Sequence, residues 1–377
     1  MKIIKLSFLL LFISCNTDSK NWEQIGNEIT DDSNPTYKAS VDIYDMNSEG
    51  NRIAIYHKGI SKMVQVLELQ NEQWIQIGKN INADKFFEDI TISDNKIFIS
   101  NNKDDLNNKG SIKILENSKN NWIEQHEIIE NKKHSLYGGL IKTNKEGNLI
   151  AISQTSSELH KESQEFYDEL AIYKERDGYW QKMDTLIPIN KQTRISGNYL
   201  NLSSDGKIVA FNSYDRKDNS LHYTINIYEI NENSLKKMLS YKTEELGKYD
   251  GISTALSGNG EYLLVGYPDY NNEEGNKNGK LKLFQIINNE LKPIGNEIIG
   301  QEGVGLGRKI SVNYQGNIIS TASSILGGKI VRTYELKNNI WKQIGDDLIG
   351  KDVVLNDKGD ILAVNENDET LKIYQFK

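Results

Sequence analysis

The stretch "NNIWKQIGDDLIG", residues 338–350, decides how this chain is read. "KNWEQIGNEIT" stands at 20–30 and "NEQWIQIGKNI" at 71–81, each with Trp, Gln and Ile-Gly in the same places. Self-similarity at a steady period is the signature of a repeat architecture. All five Trp (Trp22, Trp74, Trp122, Trp180 and Trp341) occupy the same point of the unit, and Leu235 and Leu291 hold it in the two units between Trp180 and Trp341. "ELKPIGNEIIG" (290–300) is the same phrase with Leu for Trp. The seven positions 22, 74, 122, 180, 235, 291 and 341 are spaced by 52, 48, 58, 55, 56 and 50 residues. That period fits one four-stranded blade of a β-propeller, about 40–50 residues, with lengthened loops.

Two further landmarks keep the same register. Each unit carries a turn followed by a β-branched run, at Gly50, Asn95, Gly147, Gly206, Gly260, Gly316 and Gly359. Gly or Asn suits a hairpin where φ must be positive. The nearly continuous apolar run that follows reads as a strand buried on both faces. A third strand ends at Leu67, Leu115, Tyr173, Tyr228, Phe284, Tyr334 and Tyr374, and in the first six units the Trp/Leu point follows seven residues later. A fixed spacing means a fixed hairpin, so length varies in the other loops, where binding usually resides.

The expected fold is therefore all-β: a seven-bladed β-propeller of four-stranded blades. The folded part opens on a Trp strand (22–29) and stops at "LKIYQFK" (371–377), the third strand of the last unit. The ring closes if the N-terminal strand completes the last blade, which also removes exposed sheet edges.

Residues 1–14 read as a signal peptide: a basic start, then an apolar run from Leu6 to Ile13 that is too short to span a bilayer. "LFISC" resembles a bacterial lipobox, with Phe12 where Leu is usual. The resemblance implies lipidation of Cys15, a short tether over 15–20, and a propeller over 21–377. Cys15 is the chain's only cysteine, so no internal disulfide can form. The expected address is the bacterial cell envelope, exported and lipid-anchored, at the outer membrane.

The net charge of −8, with lysines scattered among acids, argues against a nucleic-acid partner, which needs clustered Lys and Arg. No metal-spaced His pair, nucleophile elbow, P-loop or dinucleotide fingerprint is present. The five His read as surface residues. Acid pairs such as Glu273-Glu274 serve glycoside hydrolysis only where two carboxylates from different blades converge.

"VGYPDYNNEEGNKNGKLKLF" (265–284), "GVGLGRKISVNYQGNIIS" (303–320) and "LYGGLIKTNKEGNLIAIS" (136–153) resemble the FG-GAP repeat of integrin-α-type propellers, with Tyr267 in place of the motif's Ala and Leu306-Gly307 in place of Phe-Gly. In that family the acidic loop can hold Ca²⁺, which implies Asp269, Asn271, Glu273 and Asn276 as the weak candidate ligands here. The competing reading, a solvated polar turn with no cofactor, is the preferred one. The long insertion 153–170 carries Leu159, Phe166 and Tyr167, a candidate partner surface. The expected job is a non-enzymatic binding or scaffold module for a protein or glycan. The alternatives are a propeller enzyme acting on carbohydrate, glycoside hydrolase-like, and an accessory or assembly factor of an envelope complex.

Overall fold

The computed structural model describes residues 20–30, 41–58, 62–83, 87–101, 110–129, 139–154, 168–186, 194–217, 220–243, 251–271, 277–325, 328–367 and 369–377. Their strands form seven antiparallel sheets, each a blade with inner, second, third and outer strands, in chain order in six of them. Blade 1 runs from the inner strand Val41–Met46 to the outer strand Gln73–Gln76. Blade 6 runs from Lys309–Val312 to Ile340–Gln343. Blade 7 takes Asp352–Leu355, Ile361–Asn367 and Thr370–Phe376 from the C-terminal end, and its outer strand is Trp22–Gln24. Trp22 pairs with Phe376 and Gln24 with Tyr374, so the N-terminal strand completes the last blade as expected. Asn21 and Lys377 extend the ladder by exchanging both backbone hydrogen bonds, at 2.8 and 3.0 Å.

Among the described residues the apolar core is divided. Seven apolar clusters form, one at each seam between neighbouring blades. The second strands face a seam on both sides. Ile53, Ala54 and Ile55 are fully buried in blade 1, as are Leu263, Leu264 and Val265 in blade 5. This explains why these strands are apolar without alternation. His57 ends one of them, buried and within 3.1 Å of Gln65 Oε1, rather than on the surface. The seam it faces leaves its position no access to water.

The recurring phrase is the device that joins blades. The Trp74 indole N–H donates to the Ile25 carbonyl, Trp122 to Ile77 and Trp22 to Ile344, each acceptor belonging to the preceding blade's phrase. The glycine after that Ile is where the ring sits. A Cβ on Gly26 would meet Trp74 Cδ1 at 2.6 Å, and one on Gly345 would meet Trp22 Cδ1 at 2.5 Å. Both glycines hold positive φ, +72° and +68°, and break the outer strand in two. The phrase's Gln ties the glycine carbonyl down, Gln24 to Gly26 at 3.2 Å and Gln343 to Gly345 at 3.2 Å. Asn27 and Asn296, which follow the glycine, accept from the backbone N–H of Trp74 and Trp341 in the next blade.

The same geometry explains where Trp is absent. Blades 7, 1, 5 and 6 carry Ile-Gly, and the blade after each of them carries Trp: Trp74, Trp122, Trp341 and Trp22. Blades 2, 3 and 4 lack Ile-Gly. Two of the blades that follow them have Leu235 and Leu291 instead. The third has Trp180, half-buried edge-on against Phe98 with ring centroids 5.5 Å apart, and its indole N–H finds no acceptor among the described residues. The locked seams thus form one continuous arc that includes the closing blade.

Candidate functional site

Antiparallel order gives the ring two unlike faces. Inner-to-second and third-to-outer connections all emerge on one face, and every one of them is a tight turn. Five of the third-to-outer hairpins place two consecutive residues at positive φ, such as Asn288-Asn289 and Asn338-Asn339. On the opposite face lie the second-to-third connections, which range from two residues (218–219, 326–327) to fourteen (155–168).

The tight turns are built by an Asn or Ser at the end of each inner strand. Asn47 Oδ1 accepts from the backbone N–H of Asn51 and Arg52, and Asn144, Ser203, Asn313 and Asn356 do the same in their blades. In blade 5 Ser257 Oγ takes the Tyr262 amide and Asn259 Oδ1 the Glu261 amide. Capping by side chains of this length frees the turn backbone to point at the axis. There the turns join into a belt. Lys145 N donates to Ser204 O at 3.0 Å, Asp205 N to Gly258 O at 3.3 Å and Asn259 N to Tyr314 O at 3.1 Å. Tyr314 N donates to Asp357 O at 2.8 Å, and Asp357 N to Ser48 O at 2.9 Å. Ser204 Oγ crosses the ring to donate to Asp357 Oδ1 at 2.8 Å. A cavity of about 490 Å³ opens against this belt, lined by Ser48, Glu49, Lys145, Tyr314, Gln315 and Asp357 among others. Burial holds the Asp357 carboxyl above the usual carboxylate range and Glu49 adds to this, against the Ser204 hydroxyl and the Lys145 ammonium.

The inner strands also carry charged side chains that act on one another. Burial alone would lower the Lys142 ammonium's pKa, but the Asp89, Asp45 and Asp352 carboxylates outweigh it and raise it. The Asp89 carboxyl is raised, chiefly by burial, although Lys142 and the Ile141 and Ile90 amides pull it down. Burial, then Asp352, puts the Tyr44 hydroxyl well above its ordinary value. Two of these acids are also seam acceptors. Asp45 Oδ2 takes the Thr91 hydroxyl at 2.7 Å and the Ile92 amide at 3.2 Å from blade 2. Asp89 Oδ2 takes the Ile141 amide at 3.0 Å from blade 3, and its Oδ1 takes the Ile90 amide at 2.9 Å.

Of the calcium candidates, Asp269 Oδ1 holds the Lys277 ammonium at 3.1 Å, and Asn271 forms a backbone bridge to Lys277. Glu273 and Asn276 lie outside the described residues, as do Leu159, Phe166, Tyr167 and Cys15. Among the described residues, no three His, Cys, Asp or Glu side chains come together to hold a metal. The segments that resemble GAP and FG meet across the seam of blades 5 and 6. Ser253 Oγ donates to Gly307 O, and a Cβ on Gly266 would lie 2.3 Å from that carbonyl. The Trp/Leu positions are all in blades, as the spacing required. The axial residues Ser48, Lys145, Tyr314 and Asp357 were not singled out in the sequence, although each directly follows a recurrent turn Asn.

Comparison with solved structures gives the same architecture. The β-propeller domain of Cps50 (Swd1) from Myceliophteria thermophila aligns with a TM-score of 0.58 at 10% identity, covering 95% of this chain and 100% of that one. The chain is a seven-bladed β-propeller. A chain of the mitotic checkpoint complex aligns at 0.55 with 12% identity, over 99% of this chain and 100% of its own length. A chain of Kuenenia stuttgartiensis hydrazine synthase aligns at 0.56 with 11% identity, over 88% and 94%. Identities this low carry the fold alone. No family model and no curated protein matches the chain.

Proposed function

We propose that this propeller is a non-enzymatic binding scaffold, exported to the bacterial cell envelope and held at the outer membrane through a lipid on Cys15. The observation that carries the reading is the division of the ring. The connections of unequal length leave one face, while the strand Trp22–Gln24 enters at the other, where Asn21 bonds Lys377. A tether over 15–20 attaches to the tight-turn face. The variable face then points away from the membrane, toward a protein or glycan partner. A rigid frame that presents variable loops is a common arrangement for recognition.

Replacing Cys15 with Ala and fractionating the cells tests this directly. The variant is expected in the soluble fraction, and retention in membranes would refute the anchor. A second reading is an enzyme acting on carbohydrate, which needs carboxylates converging at the axis, and the inner-strand acids Asp45, Asp89 and Asp352, which raise the Lys142 pKa, are the candidates. Asp45 and Asp89 each commit one oxygen to seam hydrogen bonds, and the other Asp89 oxygen takes the neighbouring Ile90 amide, which weighs against it. Release of reducing ends by the wild type, lost in Asp352→Asn, would favour the enzyme.

A further inference from the structure

We infer that the cavity at the axis of the tight-turn face binds a neutral saccharide. This site lies across the ring from the variable connections and does not depend on what they bind. Its volume of about 490 Å³ suits a small ligand. Its lining is fixed before any ligand arrives, because Tyr314, Asp357 and Ser48 are chained by backbone hydrogen bonds of 2.8 and 2.9 Å. Ser204 also pins one Asp357 oxygen from across the ring. Such preorganisation lowers the entropy cost of binding.

The chemistry of the lining selects the ligand class. The lining carries two carboxylates, Glu49 and Asp357, and two ammonium groups, Lys145 and Lys358, the second of them paired with Asp360, so no single sign of charge dominates the cavity. An anion would meet the carboxylates and a cation the lysines. An apolar ligand would leave these groups desolvated and unpaired, at a cost of roughly 1–3 kcal/mol each. The hydroxyls of a sugar both donate and accept, and the lining interleaves both capacities: ammonium donors, carboxylate acceptors, and the Gln315 amide and Ser48 hydroxyl, which do both. The Tyr314 ring adds the one broad apolar surface on which the C–H face of a pyranose can rest.

Isothermal titration of the full chain with chitotriose, cellotriose and maltotriose, and with a heparin-derived trisaccharide as the anionic probe, tests the assignment. At least one neutral trisaccharide should bind. Glu49→Gln and Gln315→Ala should each weaken it about tenfold, the loss expected for one strong hydrogen bond. Both side chains are exposed, so the thermal midpoints of these variants should match the wild type. The assignment is overturned if no neutral probe binds, if binding is unchanged in both variants, or if the anionic probe binds more tightly than the neutral ones. Retention of Cys15→Ala in membranes with sugar binding intact would fault the lipid-anchor reading and leave this site standing.

Discussion

Substituting Gly345 with Ala isolates the lock between blades 6 and 7. Gly345 holds φ at +68°, and a Cβ there would lie 2.5 Å from Trp22 Cδ1 and 2.9 Å from Asn21 Oδ1. Two costs add. The left-handed backbone costs an alanine about 1–2 kcal/mol. Displacing a packed ring costs about 1–3 kcal/mol more, and the bond from the Trp22 indole to Ile344 O, at 3.2 Å, is lost with it. Gly178 supplies the control, since it holds φ at +77° with nothing within 4 Å of its would-be Cβ. Gly178→Ala therefore bears only the backbone cost. Urea unfolding followed by circular dichroism should place Gly345→Ala at least about 1 kcal/mol below Gly178→Ala. In a Trp22→Leu background the Gly345→Ala penalty should shrink, because Leu removes the clash. The chain already pairs Leu235 and Leu291 with preceding blades that lack the glycine. Equal losses in the two glycine variants, or strict additivity with Trp22→Leu, would refute the interlock.

Trp122→Leu should cost about 1 kcal/mol more than Trp180→Leu in the same unfolding assay, since only Trp122 forfeits an indole hydrogen bond and strands a carbonyl. Asp89 sets a pH dependence. Its folded pKa lies above the ordinary value of about 4, so its contribution to stability is full below that pH and fades as pH rises through the folded pKa. Stability measured from pH 4 upward should thus fall less steeply in Asp89→Asn than in the wild type, and an unchanged slope would contradict the shift. Calcium or EDTA should leave the thermal midpoint unmoved, because the Asp269 carboxylate already holds Lys277. A calcium-dependent rise would place the ion in that loop.

Much of this architecture is legible in the sequence because the phrase repeats with its landmarks in register. The seven-residue step from Tyr334 to Trp341 reads directly as a hairpin, and the missing outer strand of the last blade reads as closure by Trp22. The partner of each Trp is harder to read. Trp74 bonds Ile25, a residue one whole blade away, and only the ring's curvature brings them together. The axial site was hidden for a related reason. Ser48, Lys145, Tyr314 and Asp357 come from four blades and share no residue type. The available signal was positional: the turn Asn is constant in four of the blades, while the residue after it changes from Ser to Lys to Tyr to Asp. Constancy there serves the turn's hydrogen bonds, and variation marks side chains released toward the axis. His57 misled for a local reason, since nothing in "RIAIYH" distinguishes the end of a doubly buried strand from the start of a loop.

Closure by the N-terminal strand is tested most directly by a cross-link in its ladder. Glu23 and Gln375 are Cα partners across it, at the separation of an antiparallel pair, which a disulfide can span. With Cys15→Ser in place, Glu23→Cys and Gln375→Cys supply the chain's only thiols. Mild oxidation of the folded protein should join them almost completely within one chain and raise its thermal midpoint. Two thiols that stay reactive, or that link only between chains, would show that residues 21–30 do not close the ring.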